Sequence, residues 1–226
     1  MTTEVTTKNQ ELVEKLSGLR RVKTAKELLH DLKTIEKADK LLLVLLDCSD
    51  SMADRIESMR KIDVAWKTFQ EELMPNMSGW TYGVILFQGW DVRWEVMPTT
   101  NTKALSNIVS APIPRGSTPM GKALQFAWSW ARSNAKQARF ILLTDGQGND
   151  MPKEAILEMA RANLSIPIDT VGIGSGLFDY DPEFLKTLSS ITGGMFVEVN
   201  TVKLLSDTIK KLSPSERPLL GTVEKI

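Results

Sequence analysis

Short apolar runs alternate with longer amphipathic segments along most of this chain. The clearest runs, at residues 41–46, 82–87 and 140–143, are shorter than a typical helix. Continuous apolar runs of this length are typical of strands buried on both faces of a parallel sheet. Between the runs, apolar residues recur at helical spacing, most regularly from Met59 to Leu73. The pattern therefore predicts strands that alternate with helices.

One segment departs from this pattern. Residues 92–96 alternate between apolar and charged side chains, as expected for a strand with one solvent-exposed face. A turn at 88–91 joins this segment to the run at 82–87, so the two form an antiparallel hairpin. The predicted fold class is α/β: a Rossmann-like, three-layer fold with a mostly parallel central sheet, one antiparallel edge strand and helices on both faces.

The same pattern divides the chain into three parts. Residues 1–39 are predicted to be an N-terminal helical extension, residues 40–212 an α/β domain, and residues 213–226 a C-terminal tail. Within the domain, further strands are predicted at 166–173 and 195–199. Helices are predicted at 53–73, 102–109, 119–134 and 152–163. Another helix is predicted to start at 181, and a final one to end near Leu212. Asp181, followed by Pro182, is predicted to cap its helix.

Composition narrows the class of protein. Of 226 residues, 42% are hydrophobic and 25% charged, as in globular proteins. Basic and acidic residues both number 28. The chain therefore has no net charge that would favour binding to nucleic acid or to an anionic membrane. No apolar run approaches the roughly 18–20 residues of a membrane span. The single cysteine excludes an internal disulfide. No secretory signal is recognised at the amino terminus, so a cytoplasmic location is expected.

Oxygen-bearing side chains follow the first apolar run. Asp47 ends it, and Ser49 and Ser51 occupy the next alternate positions. The carboxyl ends of parallel strands form the crevice in which open α/β sheets bind ligands. Carboxylate and hydroxyl oxygens are hard donors of the type that Mg²⁺ prefers. We therefore expect a divalent-metal site at this corner.

Two distant residues are expected at the same edge of the sheet. The run at 140–144 is parallel to the first strand and delivers Asp145 there. The Pro- and Gly-containing loop at 111–118 reaches that edge with Thr118. Thr118 is also expected to be the N-cap of a helix whose first residue is Pro119. The amino-terminal ends of the helices near residues 53 and 119 would face the site and favour a negative ligand.

At this point the chain resembles a known family. The similarity covers roughly residues 40–212 and includes the hairpin. It is carried by three motifs in the expected order: Asp47-x-Ser49-x-Ser51, Gly116-Ser117-Thr118-Pro119 and Thr144-Asp145-Gly146. Together they resemble the metal-ion-dependent adhesion site of von Willebrand factor A domains, the family that includes the integrin inserted domains.

The resemblance implies a role for each residue. Ser49 and Ser51 would bind Mg²⁺, or Mn²⁺, directly, and Thr118 directly or through water. Asp47 and Asp145 would act mainly through waters and hydrogen bonds to the hydroxyl ligands. The remaining ligand would be a Glu or Asp of a partner protein. By family analogy, an adaptor role towards AAA+ ATPases of the MoxR kind is also expected.

The sequence is also compatible with two other interpretations. The chain could be a metal-dependent hydrolase or phosphotransfer enzyme built around Asp47, although the sole histidine, His30, is distant in sequence and no general base is evident. Alternatively, the polar residues could fill the strand ends without a metal. Trp90, at the predicted hairpin tip on the same edge, is a candidate partner-contacting residue because aromatic side chains are favoured in interfaces. We expect a non-enzymatic, metal-dependent interaction module.

Overall fold

A computed structural model describes residues 37–101, 111–145, 148–174 and 181–212. The predicted N-terminal extension up to residue 36, the helix at 102–109 and the tail at 213–226 lie outside the described residues and stay predictions. None of the helices in the described ranges is both long and apolar enough to span a lipid bilayer.

The described residues form strands and helices in alternation. The strands are β1 (Ala38–Asp47), β2 (Arg55–Ile56), β3 (Met59–Arg60), β4 (Thr81–Gln88), β5 (Asp91–Thr99), β6 (Ala135–Thr144), β7 (Ile168–Ile173) and β8 (Phe196–Val199). The helices are α1 (Lys61–Thr68), α2 (Met120–Asn134), α3 (Lys153–Arg161), α4 (Pro182–Thr192) and α5 (Val202–Lys211). A 3₁₀ turn at Asp50–Ala53 follows β1, and a π-helical turn at Phe69–Leu73 extends α1.

Six of these strands form one sheet in the order β5-β4-β1-β6-β7-β8. All neighbouring pairs are parallel except β4 and β5, which are antiparallel. The predicted fold class, with its mostly parallel sheet and one antiparallel edge strand, is confirmed. The chain leaves β1 towards β4 and returns on the other side of β1 as β6, so the strand order reverses between β1 and β6.

Strand β1 is buried on both faces and separates two hydrophobic cores. Leu42, Val44 and Leu46 belong to one core, together with apolar residues of α1 and α5. The alternate residues Leu41, Leu43 and Leu45 belong to the other core, with α2, α3 and α4. Side chains alternate between the faces of a strand, so a six-residue apolar run is what this position requires. The polar residues after the run are left at the edge of the sheet.

The helix predicted at 53–73 begins later than expected. Residues 55–60 form the small antiparallel β2–β3 hairpin, in which Glu57 has a positive φ of 56°. A left-handed residue cannot continue a right-handed helix. Helix α1 starts at Lys61, whose amide donates to the Asp54 carbonyl at 2.9 Å. The predicted helix start, and with it a helix terminus near residue 53, is therefore wrong.

A buried ion pair holds β6 against β7. The Arg139 guanidinium donates to Asp169 Oδ2 through Nε at 2.6 Å, and Arg139 is only 3% exposed. The other Asp169 oxygen accepts the Met195 amide at 2.9 Å, immediately before β8. Arg139 therefore fixes the carboxylate that positions the start of β8.

We expect Arg139→Met to lower the free energy of unfolding by about 3–5 kcal/mol, because it leaves the Asp169 carboxylate buried without its cation. Urea unfolding at neutral pH measures the change. Lys136→Met is the matched control, since Lys136 lies on the same strand and pairs with Asp39 at an exposed site. A surface pair of this kind contributes little, so no measurable change is expected for the control. Equal losses for the two variants would contradict the importance of the buried pair.

Candidate functional site

The polar residues predicted after β1 and β6 meet at the carboxyl edge of the sheet, where the strand order reverses. Leu46 is paired with Leu143, so the ends of β1 and β6 are level. Ligands of open α/β sheets bind at such a reversal point, because the loops on its two sides diverge and leave a crevice. Of the predicted residues, Asp47, Ser49, Ser51 and Asp145 are joined by contacts at this point.

Asp47 links the two strand ends. Its carboxylate is fully buried and accepts two hydrogen bonds: Oδ1 from the Ser49 amide at 2.9 Å, and Oδ2 from the Thr144 hydroxyl at 2.5 Å. Burial raises the pKa of Asp47 to about 7, against the lowering effect of the hydrogen bond from Thr144. Asp47 therefore positions Ser49 through the backbone. Its enclosed carboxylate is poorly placed to attack a substrate as a nucleophile.

A chain of hydrogen bonds connects the two serines to Asp145. The Ser51 hydroxyl donates to Asp145 Oδ1 at 2.7 Å, and the Ser49 and Ser51 Oγ atoms are 3.2 Å apart. Since an ionised carboxylate only accepts, the Ser51 proton is used towards Asp145. Each hydroxyl oxygen keeps at least one lone pair that can bind a cation.

Asp145 also forms an ion pair with a residue that the sequence analysis did not single out. Lys61, the first residue of α1, places Nζ 2.8 Å from Asp145 Oδ2. The Asp145 side chain is fully buried and that of Lys61 is 9% exposed. Burial raises the pKa of Asp145, although the hydrogen bonds from Lys61 and Ser51 oppose this shift. The only sequence signal for Lys61 was a charged residue directly before the apolar stripe of α1.

Thr118 does not cap the helix that follows it. Helix α2 begins at Met120 with Pro119 at the N-cap position and without a side-chain capping bond. Instead, the Asp150 carboxylate accepts the amides of Gly121 at 2.9 Å and Lys122 at 2.8 Å. The prediction of Thr118 as N-cap is therefore wrong.

Gly121 makes the cap from Asp150 possible. A Cβ at this position would lie 2.8 Å from the Cβ of Met151, so only glycine admits the capping segment this closely. The buried Thr118 side chain forms no hydrogen bond with the described residues. Its hydroxyl is thus not committed to the helix.

The loop that carries Thr118 is fixed to the β4–β5 turn. The Gly89 amide donates to the Ser117 carbonyl at 2.7 Å, and the Ser117 hydroxyl donates to the Gly89 carbonyl at 2.9 Å. Gly116 has a φ of 71°, and a Cβ there would lie 2.8 Å from the Gly89 Cα. Both the left-handed conformation and the close approach require glycine at position 116.

The same loop is also bonded to the segment that follows β1. The Asp50 amide donates to the Gly116 carbonyl at 3.0 Å, and the Arg115 amide donates to the Cys48 carbonyl at 2.9 Å. Cys48 itself is a free, buried thiol, and burial raises its pKa to about 12. Three segments of the chain therefore form one hydrogen-bonded unit around the site.

The rim of this unit carries exposed apolar side chains. Trp90, in the β4–β5 turn, is 85% exposed, and Ile113 is 78% exposed. The Lys122 ammonium lies 5.1 Å from the centroid of the Trp90 ring, within cation–π range. The exposure of Trp90 agrees with its prediction as a partner-contacting residue, a role that stays a prediction.

The donor set can be compared with the geometry that a metal requires. Neighbouring ligands of an octahedral ion with bonds of about 2.0–2.1 Å are about 2.9 Å apart. The Ser49–Ser51 Oγ separation of 3.2 Å is close to this value. No group of three or more His, Cys, Asp or Glu side chains is arranged to hold a metal within the described ranges. The hydroxyl pair thus fits two adjacent positions of an octahedral site.

Comparison with known proteins gives a consistent result. The family model of the von Willebrand factor type A domain matches residues 42–211. No curated protein matches the sequence.

Several solved structures are similar in fold. A von Willebrand factor type A protein from Catenulispora acidiphila (17% identity, TM-score 0.62) covers 77% of this chain and 42% of its own. The ArnB paralog VWA2 from Sulfolobus acidocaldarius (20% identity, TM-score 0.62) matches 78% of this chain over 45% of its own length. Proximal thread matrix protein 1 from the mussel byssus, with a zinc-occupied metal-ion-dependent adhesion site (18% identity, TM-score 0.54), matches 79% of this chain over 47% of its own length. This chain spans less than half the length of each.

The raised pKa of Asp47 predicts a pH dependence of stability in EDTA. Folded Asp47, with a pKa of about 7, holds a proton that the unfolded residue, with an ordinary pKa of 3.8, has already released. The free energy of unfolding should therefore fall as pH rises from about 4 to about 7, by up to about 4 kcal/mol from this residue.

Asp47→Asn removes this titration while an amide can still bond to Ser49 and Thr144, so its stability should fall less over the same pH range. Urea unfolding of both proteins at about pH 4.5, 5.5, 6.5 and 7.5 measures the difference. The pKa of Asp145 is raised as well, so this residue contributes a similar pH dependence to the free energy of unfolding of both proteins. Parallel profiles would contradict a strongly raised pKa at Asp47.

Proposed function

The chain belongs to the von Willebrand factor type A domain family, and we propose that it is a non-enzymatic interaction module that binds an acidic side chain of a partner protein through a bound divalent metal. Domains of this family typically mediate protein–protein interactions. The observation that carries the metal-dependent part of the proposal is the pair of adjacent hydroxyls, Ser49 and Ser51, held 3.2 Å apart by two buried carboxylates.

Each predicted residue has a role in this proposal. Ser49 and Ser51 bind the metal directly, and Thr118 binds it directly or through water. Asp47 positions Ser49 through its amide, and Asp145 orients the Ser51 hydroxyl. Mg²⁺, or Mn²⁺, is the proposed metal because both accept hard oxygen ligands. The zinc found in the mussel protein supports a divalent ion at this type of site without selecting Mg²⁺.

The charge balance of the site favours an acidic partner. The carboxylate oxygens of Asp47 and Asp145 accept hydrogen bonds from Ser49, Thr144, Ser51 and Lys61. A divalent metal held by neutral hydroxyls would keep most of its positive charge. It would therefore attract a carboxylate from outside the protein. A Glu or Asp side chain of the partner can provide that oxygen.

The surface around the site offers further contacts for a partner. Trp90 is exposed, and its turn is hydrogen-bonded to the loop that carries Thr118. Trp is among the residues that most often contribute a large share of the binding energy in protein interfaces. The proposed setting is cytoplasmic, with an AAA+ ATPase of the MoxR kind as one partner. That part of the proposal rests on family analogy.

Metal binding is tested first by calorimetry. We expect Mg²⁺ or Mn²⁺ to give binding heat with the wild-type chain, and to stabilise it by about 2.7 kcal/mol at about 100 times the dissociation constant. The Ser49→Ala/Ser51→Ala variant should lose both effects, because it lacks the proposed direct ligands. Ser133→Ala is a matched control, since that hydroxyl is exposed on α2 and donates to the Ser129 carbonyl of the same helix. Equal heats for the wild type and the double variant would refute the site.

The role of Thr118 gives a second prediction. We expect Thr118→Ala to weaken partner binding more than metal binding, because its hydroxyl is not needed to cap α2 and is available to the partner-bound form. A pull-down from native extract in Mg²⁺ and in EDTA would identify a metal-dependent partner, and its binding can then be titrated.

The partner's acidic residue provides the control for this experiment. Its change to the corresponding amide in the wild-type complex should abolish metal-dependent capture. A comparable loss of metal and partner affinity in Thr118→Ala would contradict the proposed role. Turnover of phosphoesters or ATP with Mg²⁺, abolished by Asp47→Asn, would instead support an enzyme.

A further inference from the structure

Lys61 is the one cation that contacts the proposed metal-binding residues in the described part of the chain. Its ammonium lies 2.8 Å from Asp145 Oδ2, and Ser51 occupies Asp145 Oδ1 at 2.7 Å. Lys61 therefore neutralises the same carboxylate that orients the Ser51 hydroxyl. A divalent ion on the Ser51 hydroxyl would lie near this ammonium, and two cations close together in a buried setting repel each other strongly.

The backbone holds Lys61 at this place independently of its side chain. The Lys61 amide donates to the Asp54 carbonyl at 2.9 Å, and Lys61 is the first residue of α1. The four-carbon side chain can change rotamer without moving the helix. The ion pair between Lys61 and Asp145 can therefore break without a change in the surrounding fold.

A cavity of about 310 Å³ lies next to the ion pair. Lys61 lines it together with Asp54, Arg55, Ile56, Glu57, Gly174 and Asn200. Among the described residues, neither the Asp54 nor the Glu57 carboxylate has a hydrogen-bond or ion-pair partner, whereas Arg55 donates to the Ser58 carbonyl. The cavity is thus large enough for a lysine side chain, and its walls carry two carboxylates that can accept the ammonium.

We propose that Lys61 is a built-in competitor of the divalent metal: it occupies Asp145 in the metal-free protein and moves to Asp54 and Glu57 in the adjacent cavity when the metal binds. This inference rests on the metal binding proposed above. The ion pair keeps the buried Asp145 carboxylate neutralised without metal, so the site is structured before loading. The same pair lowers metal affinity, since a divalent ion on Ser51, which is hydrogen-bonded to the same carboxylate, would repel the ammonium.

The test compares wild type, Lys61→Met and Lys153→Met with Mn²⁺ as the probe. Methionine keeps most of the side-chain volume and removes the charge. Lys153→Met is the matched control, because Lys153 also begins a helix and pairs with an aspartate, Asp181, away from β1 and β6. Metal affinity is measured by calorimetry, and thermal unfolding is measured in EDTA and in Mn²⁺.

The expected result has two parts. Lys61→Met should bind Mn²⁺ at least about tenfold more tightly than wild type, because the repulsion from the ammonium is gone. In EDTA the same variant should unfold at a lower temperature, because the buried Asp145 loses its cation. Lys153→Met should bind Mn²⁺ like wild type.

Different failures have different meanings. Equal or weaker Mn²⁺ affinity in Lys61→Met, with normal binding by wild type, would overturn the competition and leave the proposed function intact. Absence of binding by all three proteins would overturn both proposals. An unchanged unfolding temperature of Lys61→Met in EDTA would overturn the role of Lys61 as the counter-ion of Asp145.

The cavity is tested by a double-mutant cycle. Asp54→Asn/Glu57→Gln should weaken Mn²⁺ binding in the wild-type background, where the displaced ammonium loses its acceptors. The same pair of changes should have a smaller effect in the Lys61→Met background, where no ammonium needs to move. Equal effects in the two backgrounds would show that both carboxylates act on the metal alone, and would overturn the proposed movement of Lys61.

Discussion

The geometry of this site depends on the hydrogen bonds of the Asp47 carboxylate. This carboxylate lies at the end of a strand buried on both faces, and it joins the Thr144 hydroxyl of β6 to the Ser49 amide of the following turn. Both oxygens are used inside the protein, so Asp47 sets the position of other groups instead of meeting a ligand itself. The burial that raises its pKa also removes the water that would otherwise compete for these hydrogen bonds.

The loops around Asp47 form a second level of organisation. Gly116 allows the Thr118 loop to approach the backbone of the β4–β5 turn at Gly89, and the segment after β1 is hydrogen-bonded to the same loop. A displacement of one loop would strain its hydrogen bonds to the others. The sheet therefore provides the strand ends, and glycine-dependent contacts between loops set the distances among the polar groups.

Much of this architecture could be predicted from the sequence, and the errors have identifiable causes. The double-sided burial of β1 and the capped start of α4 at Asp181 are both confirmed, because each depends on residues close in sequence. Thr118 was wrongly predicted as a cap, since the actual cap, Asp150, is distant in sequence and close only in the fold. Lys61 was missed for the same reason: its partner, Asp145, lies at the end of another strand.

The buried state of Cys48 has a practical consequence for experiments on this protein. Its thiol is enclosed and its pKa is raised to about 12, so at neutral pH it is almost entirely protonated and unreactive towards alkylating reagents. It is also the one cysteine of the sequence. A fluorophore or spin label attached to a cysteine introduced at an exposed position such as 90 would therefore modify that position selectively, without removal of the native thiol beside the proposed metal ligands.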